Sequence, residues 1–216
     1  MKTVDSCEAL AKSLSNGESD IALLGPWGYV LANNEANAQV VDTILYDGKP
    51  EYFALIVTNP KSGIEKEADL KGKTFAFGDK GSTSGYLIPF SKVIYTKHQA
   101  IETQVTRGEL DAGADYNRNR NAMIEQGLIK SDESKIIWQS EPLPNDAFAL
   151  SEEIAKDKKV VSEIKKALKD IATELKNNPA ILPAHYTGFV EKTNSFYKPI
   201  RDAGLAIGKL TPKQKS

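Results

Sequence analysis

Gly78-Asp79-Lys80-Gly81-Ser82-Thr83-Ser84-Gly85-Tyr86 follows an apolar, β-prone run, Thr74-Phe75-Ala76-Phe77, and leads into Tyr86-Leu87-Ile88. The order predicts a strand, a tight turn and a helix N-terminus. Ser82 or Thr83 is placed to cap that helix, whose first amides lack intrahelical acceptors and sit at the positive end of the macrodipole. Three consecutive hydroxyls beside such amides make an oxyanion cradle; the same residues serve equally as an ordinary cap on a surface helix. No Walker-type Gly-Lys-Ser/Thr is present, so nucleotide hydrolysis is not the first reading.

Around this turn the chain has the composition of a globular protein. It has 216 residues, 40% of them hydrophobic and 26% charged, with a formal net charge of −1. Length of this order supports one large domain or two small ones. The near-neutral balance gives no general attraction to nucleic acid or anionic membrane. No run approaches the roughly 20 apolar residues that span a bilayer, so membrane insertion is not expected. Met1-Lys2-Thr3-Val4-Asp5-Ser6 lacks the apolar core of a signal peptide, which leaves a cytosolic protein or a removed export signal. The single Cys7 forms no internal disulfide, and one cysteine with two histidines does not support a zinc site.

Outward from the turn, strands and helices alternate. Residues 4–15 have helical spacing, stopped by Asn16-Gly17, and Ile21 to Leu24 reads as a buried strand ended by Gly25-Pro26. Pro26 suits the first turn of a helix to about Ala32. Val40 to Tyr46 reads as a strand, Asp47 to Pro50 as a turn, and Tyr52 to Thr58 as one nearly all-apolar strand. Val93 to Thr96, Leu110 to Ala114, Lys135 to Gln139 and Ala147 to Leu150 read as further strands. Residues 98–107, 117–126, 157–176 and 195–206 read as helices. The alternation predicts an α/β fold dominated by parallel sheets.

Six segments fall in one ordered series: Asp20 to Pro26, Tyr52 to Val57, Asp69 to Lys73, Ser82 to Tyr86, Asp111 to Ala114, and Pro142 to Asp146. Over about residues 5–200 this series resembles the phosphonate-binding proteins of ABC importers, within the type II periplasmic-binding-protein fold. The resemblance implies a two-lobe α/β clamp with a ligand cleft between lobes. Lobe 1 would comprise residues 1–53 and 143–216, and lobe 2 residues 54–142. It implies a non-catalytic solute-binding component, periplasmic or held at the cell surface as a lipoprotein, that needs no cofactor or metal and hands its ligand to ABC permease subunits.

The resemblance also implies a site. Ser82, Thr83 and Ser84 match the phosphonate cradle, and His98 a histidine that helps hold the same group. Tyr52 matches a tyrosine at the lobe crossing, and Asp146 a carboxylate that receives the amine of aminoalkylphosphonates. Arg118 stands where a second such carboxylate is expected, a charge reversal suited to another anionic oxygen. Tyr116 and Asn117 are neighbouring candidates, and Trp27 either walls the pocket or packs in the core. Taken singly, Tyr52 also reads as a packing residue, His98 as a helix-start residue and Asp146 as half of a turn pair. Family members open with a strand, a helix and a second strand ahead of residue 5, and carry a longer segment between Pro89 and Ser91. Their absence implies an exposed sheet edge, and keeps open a cytosolic sensor or a degenerate fragment of the same fold. A phosphate-ester enzyme, with His98 as its base, is the less favoured alternative.

Overall fold

The computed structural model describes residues 7–90 and 101–211. The expected strand at Val93 to Thr96 and the candidate His98 lie outside these described residues. The chain divides into two compact units, unit 1 being residues 1–51 and 144–216 and unit 2 Tyr52–Leu143.

Unit 1 opens with helix α1 (Cys7–Ser15), which stops where the chain turns through Gly17 at φ 70°. Strand β1 (Ile21–Leu24) and helix α2 (Pro26–Ala36) follow, with Pro26 in the first turn, where its missing N–H costs nothing. Helix α2 ends at Asn37, which adopts the left-handed conformation that asparagine tolerates. Strand β2 (Gln39–Tyr46) leads into Asp47 and Gly48, both at positive φ, and Tyr46 and Lys49 exchange backbone hydrogen bonds of 2.9 and 3.0 Å across the turn.

The chain leaves unit 1 through β3 (Glu51–Tyr52) and continues as β4 (Ala54–Thr58). The single strand expected over residues 52–58 is therefore broken at Phe53. There the Phe53 N–H donates to Asn117 Oδ1 at 3.0 Å and its carbonyl accepts from Asn117 N–H at 3.1 Å, in place of a sheet partner. Beyond β4 come β5 (Phe75–Ala76), a π-helical turn (Thr83–Leu87) and a short helix α3 (Ile88–Phe90). Helix α4 (Ile101–Thr106), strand β6 (Ala112–Tyr116), helix α5 (Asn117–Glu125) and strand β7 (Lys135–Gln139) complete unit 2. Its sheet has the order β5-β6-β4-β7. Every residue of β4 is buried, as its apolar run requires. Ile56 packs with Ile64, Leu70, Phe75, Phe77, Ala112 and Ala114 on one face, while Leu55 and Val57 pack with Val105 of α4 on the other.

Strand β8 (Leu143–Pro144) brings the chain back, and β9 (Ala147–Leu150) enters the first sheet. Helices α6 (Glu152–Lys156) and α7 (Lys158–Glu174) are separated by Asp157, whose carboxylate caps α7 through Lys159 N–H and Val160 N–H at 2.9 and 3.1 Å. Strand β10 (Tyr186–Glu191) and helix α8 (Lys198–Ala206) close unit 1, whose sheet has the order β1-β9-β2-β10. Leu168 of α7 lies buried on Val41 and Leu150, a burial worth about 1.5–3 kcal/mol per side chain. Strand β1 is an edge, with Ile21 and Leu23 43% and 44% exposed.

One expectation fails. The sheets are not dominated by parallel pairs: β9 runs antiparallel to both β1 and β2, β10 to β2, and β4 to both β6 and β7, leaving β5–β6 as a parallel pair. The cause is where the returning chain goes. The β1-α2-β2 segment has the helix-linked form of a parallel unit, but β9 inserts between its two strands in the opposite direction.

Candidate functional site

The quoted turn of unit 2 folds as its residues dictate. Gly81 N–H donates to Asp79 Oδ1 and Ser82 N–H to Asp79 O, both at 2.8 Å, which closes the tight bend. Ser82 then caps the helical segment, its Oγ accepting from Gly85 N–H at 3.0 Å. Leu87 N–H reaches Ser82 O, an i→i+5 bond that makes this first turn π-helical rather than α-helical. Gly78 and Gly85 approach so closely that a Cβ on Gly85 would meet Gly78 Cα at 2.8 Å and Ser82 Oγ at 3.0 Å. Thr83 and Ser84 are 3% and 4% exposed. Ser82, Thr83 and Ser84 thus share one turn, with Thr83 and Ser84 in the first turn of the helical segment.

A second group of candidates gathers at the Ala54 end of β4. Strands β4 and β6 run antiparallel with Ala54 opposite Tyr116, and Tyr52 lies just before that pair. The Tyr52 and Tyr116 rings meet edge to face at 6.0 Å. Arg118, in the first turn of α5, lays its guanidinium 4.7 Å from the Tyr52 ring centroid and 5.8 Å from that of Tyr116, within cation–π range of both. Tyr52 is buried, and Tyr116 and Arg118 are partly exposed. Asn117, a candidate for direct contact, accepts from the Phe53 N–H through its side-chain oxygen.

In unit 1, Asp146 is fixed by its backbone. Its carbonyl accepts from Ile44 N–H at 3.1 Å and from Thr43 Oγ1 at 2.9 Å. The preceding Asn145 is fully buried and donates to Ile44 O and Lys49 O at 3.0 and 2.9 Å, while Tyr197 Oη donates to Asn145 O at 2.9 Å. The Asp146 carboxylate lies beside Gly25, the residue that opens α2; a Cβ there would sit 3.9 Å from Asp146 Oδ1. Trp27 is a packing residue of unit 1, its ring pressed against Gly204 of α8, where an added Cβ would lie 2.5 Å from Trp27 Cζ3.

Sequence reasoning passed over two buried acids in unit 2. Glu102 in α4 and Asp115 in β6 are 2% and 5% exposed, and burial raises the affinity of both carboxyls for protons. Asp115 is pushed up to about 7, first by burial and then by the charge of Glu102. The sequence signal was a carboxylate closing the small apolar run Ala112-Gly113-Ala114. Among the described residues no cluster of three or more His, Cys, Asp or Glu side chains has the arrangement of a metal site. A polar groove of about 590 Å³, lined by Lys61, Ser62, Arg107, Asp111 and Glu133 among others, opens at the far end of β4, away from Tyr52 and Tyr116.

Residues 1–197 match the family model of the ABC transporter, phosphonate, periplasmic substrate-binding protein. The chain belongs to this family. It is 30% identical over 146 residues to the phosphonates-binding periplasmic protein of Escherichia coli (strain K12), covering 59% of this chain and 43% of that protein. It is 25% identical over 175 residues to a phosphate-import protein of Mycolicibacterium smegmatis, covering 69% of this chain and 54% of that one. The chain therefore spans about half the length of the curated relatives it matches. The structure of a Prochlorococcus marinus protein in complex with methylphosphonate superposes with a TM-score of 0.78 at 18% identity, over 96% of this chain and 85% of that one. That likeness is one of fold, and it places the chain with the two-lobe type II binding-protein architecture.

Proposed function

We propose that this protein is the solute-binding component of an ABC importer and takes phosphonate or a related phosphorus oxyanion. The reading rests on one observation above the others. The Ser82-Thr83-Ser84 turn, in a chain of the phosphonate-binding family, has its cap bond made and its two following amides at the head of a helical turn. Those amides, with the hydroxyls of Ser82, Thr83 and Ser84, bind the PO₃ group. His98 supplies a further donor to it. Tyr52 and Tyr116 contribute phenol groups, and Arg118 a delocalised cation suited to a second anionic oxygen. Asp146 contributes a carboxylate from unit 1.

Units 1 and 2 act as the two lobes of a clamp, and ligand favours the closed form by binding it more tightly. The loaded protein delivers its ligand to permease subunits at the outer face of the membrane, as a periplasmic protein or a surface lipoprotein. The family's activity is binding, and we assign no catalytic residue.

Isothermal titration with methylphosphonate, 2-aminoethylphosphonate, phosphite and phosphate tests the reading, alongside the double variant Ser82→Ala/Thr83→Ala. One of these ligands binds the parent chain and not the double variant. A folded parent chain that binds none of the four overturns the proposal and leaves the sensor or fragment alternative.

A further inference from the structure

Two carboxyl oxygens in the interior of unit 2 have no donor among the described residues: Glu102 Oε2 and Asp115 Oδ2. Their partner oxygens are well served. Glu102 Oε1 accepts from Ser134 Oγ and lies 3.5 Å from Arg120 Nε, and Asp115 Oδ1 accepts from Asn119 Nδ2 at 2.9 Å. The two carboxyls are hydrogen-bonding neighbours. Two carboxylates cannot bond to each other, because each only accepts. A single proton between them removes both orphans at once, where leaving them unmet in a dry interior costs several kcal/mol.

The surroundings decide which acid carries it. Arg120 offers one positive charge and stands against Glu102, further held through Ser131 O and Ser134 O at 2.8 and 3.1 Å. Asp115 has no cation against it, only the neutral Asn119 side chain and the Tyr116 backbone N–H, and these do not offset its burial and the Glu102 charge. From β4 and β5, the strands flanking β6, no ionisable side chain enters; the π-helical turn carries Tyr86, which stacks on Phe90 in the opposite face's core. Helix α4 contributes Glu102 alone to the pair, its neighbour Ile101 pressing on Gly113.

We propose that Asp115 is a positioning residue: as the neutral acid it donates to the Glu102 carboxylate, and this shared proton fixes the junction of β6 with α5 that carries Tyr116 and Arg118. The inference rests on the oxyanion-binding reading for its consequence in binding, not for the proton itself. The node ties four pieces together: α4 through Glu102, β6 through Asp115, the first turn of α5 through Asn119 and Arg120, and the loop before β7 through Ser134. Tyr116 follows Asp115 directly, and Arg118 precedes Asn119. Loss of the proton puts a second negative charge into the node, and the cheapest relief is for α4 and β6 to part there, taking the Tyr116–Arg118 corner with them. Burial and the Glu102 charge hold the Asp115 proton up to about 7, so the change falls in an accessible range.

The test is a pH titration of the whole chain by carboxyl-carbon and tyrosine-ring NMR, in the parent, Asp115→Asn and Glu102→Gln, with methylphosphonate affinity measured at each pH. The Asp115 carboxyl and the Tyr116 ring signals shift together with one midpoint near neutrality, and the ring shift is absent in Asp115→Asn. Glu102→Gln, which removes the neighbouring charge, moves the Asp115 midpoint down. The ratio of parent affinity to Asp115→Asn affinity, which cancels the ligand's own ionisation, falls about threefold or more between about pH 5.5 and about pH 8.5. An Asp115 carboxyl titrating in the ordinary aspartate range, or a Tyr116 ring indifferent to it, overturns the proposal. Failure of methylphosphonate, 2-aminoethylphosphonate, phosphite and phosphate alike to bind the folded parent chain overturns the oxyanion reading instead, while the two NMR titrations still decide the proton.

Discussion

Gly78 and Gly85 stand back to back, so near that a methyl on Gly78 would lie 2.7 Å from Gly85 Cα. Backbone meets backbone there, and neither side has a flexible chain end to yield. Gly85→Ala forces the strand–turn junction apart and displaces Ser82, whose Oγ stands 3.0 Å from the new methyl. The expected outcome is a loss of about 1–3 kcal/mol in chemical denaturation, as for other overpacking changes, with ligand affinity lost in parallel. A variant as stable as the parent that still binds would show that the close approach is not required.

Ser82 does two jobs with one hydroxyl: it accepts from Gly85 N–H and keeps its own hydrogen to donate. Ser82→Ala therefore removes a cap worth about 1 kcal/mol as well as a proposed ligand donor. Ser82→Asp restores the acceptor but sets a negative charge where an oxyanion is to bind. Its thermal midpoint returns toward the parent value while titration with methylphosphonate shows no binding. Recovery of both stability and binding would refute the cradle.

Arg118 faces two tyrosine rings and offers a delocalised cation, not a carboxylate, to whatever binds beside it. Arg118→Gln weakens methylphosphonate binding by about tenfold, the loss of one charge-assisted bond of roughly 1.4 kcal/mol. Arg118→Glu raises affinity for 2-aminoethylphosphonate relative to methylphosphonate. An unchanged ratio between the two ligands places Arg118 outside the recognition set.

Asp42 supplies a pH test independent of ligand. It is 7% exposed on β2, opposite Glu191 of β10, and its carboxyl is raised to about 6, chiefly by burial and opposed by Lys165. A raised acid pKa means that the folded chain binds the proton more tightly than the unfolded one. Its stabilising effect is present below the ordinary aspartate range and is lost as pH rises through about 6. Thermal unfolding of Asp42→Asn should track the parent below about pH 4 and exceed it increasingly up to about pH 7. A constant difference across that range would deny the raised pKa.

Much of this architecture was legible because local signals agreed. The all-apolar β4 announced a strand covered on both faces, Pro26 opened a helix, and Asp47-Gly48 made a positive-φ hairpin turn. The Ser82 cap was legible for the same reason, since both its partners lie within three residues. Pairing direction was not legible, because β9 meets β1 and β2 from about a hundred residues away. Strand β10 escaped notice: Gly188, at φ 142°, interrupts it beside a register shift, and most of its residues are only partly buried. The Asp115–Glu102 pair was invisible as well, for it exists only once α4 packs on β6. Asn117 has a role that its sequence position did not announce, since its side-chain oxygen holds the Phe53 backbone.

The position of β9 has a consequence for the order in which the chain acquires structure. Unit 2 is contiguous, so β4, β5, β6 and β7 are all available once Gln139 has been synthesised. Unit 1 must wait: β1 and β2 are made first but are held apart by a strand that emerges only after unit 2 is complete. Until then the strands that carry Ala22, Leu24 and Val41 lack β9, and a strand edge left open is a site for wrong pairing. Pulse-labelling hydrogen exchange during refolding should find amides of β4 and β6 protected before those of β1 and β2. The chain segment that begins unit 1 is then among the last to be made safe.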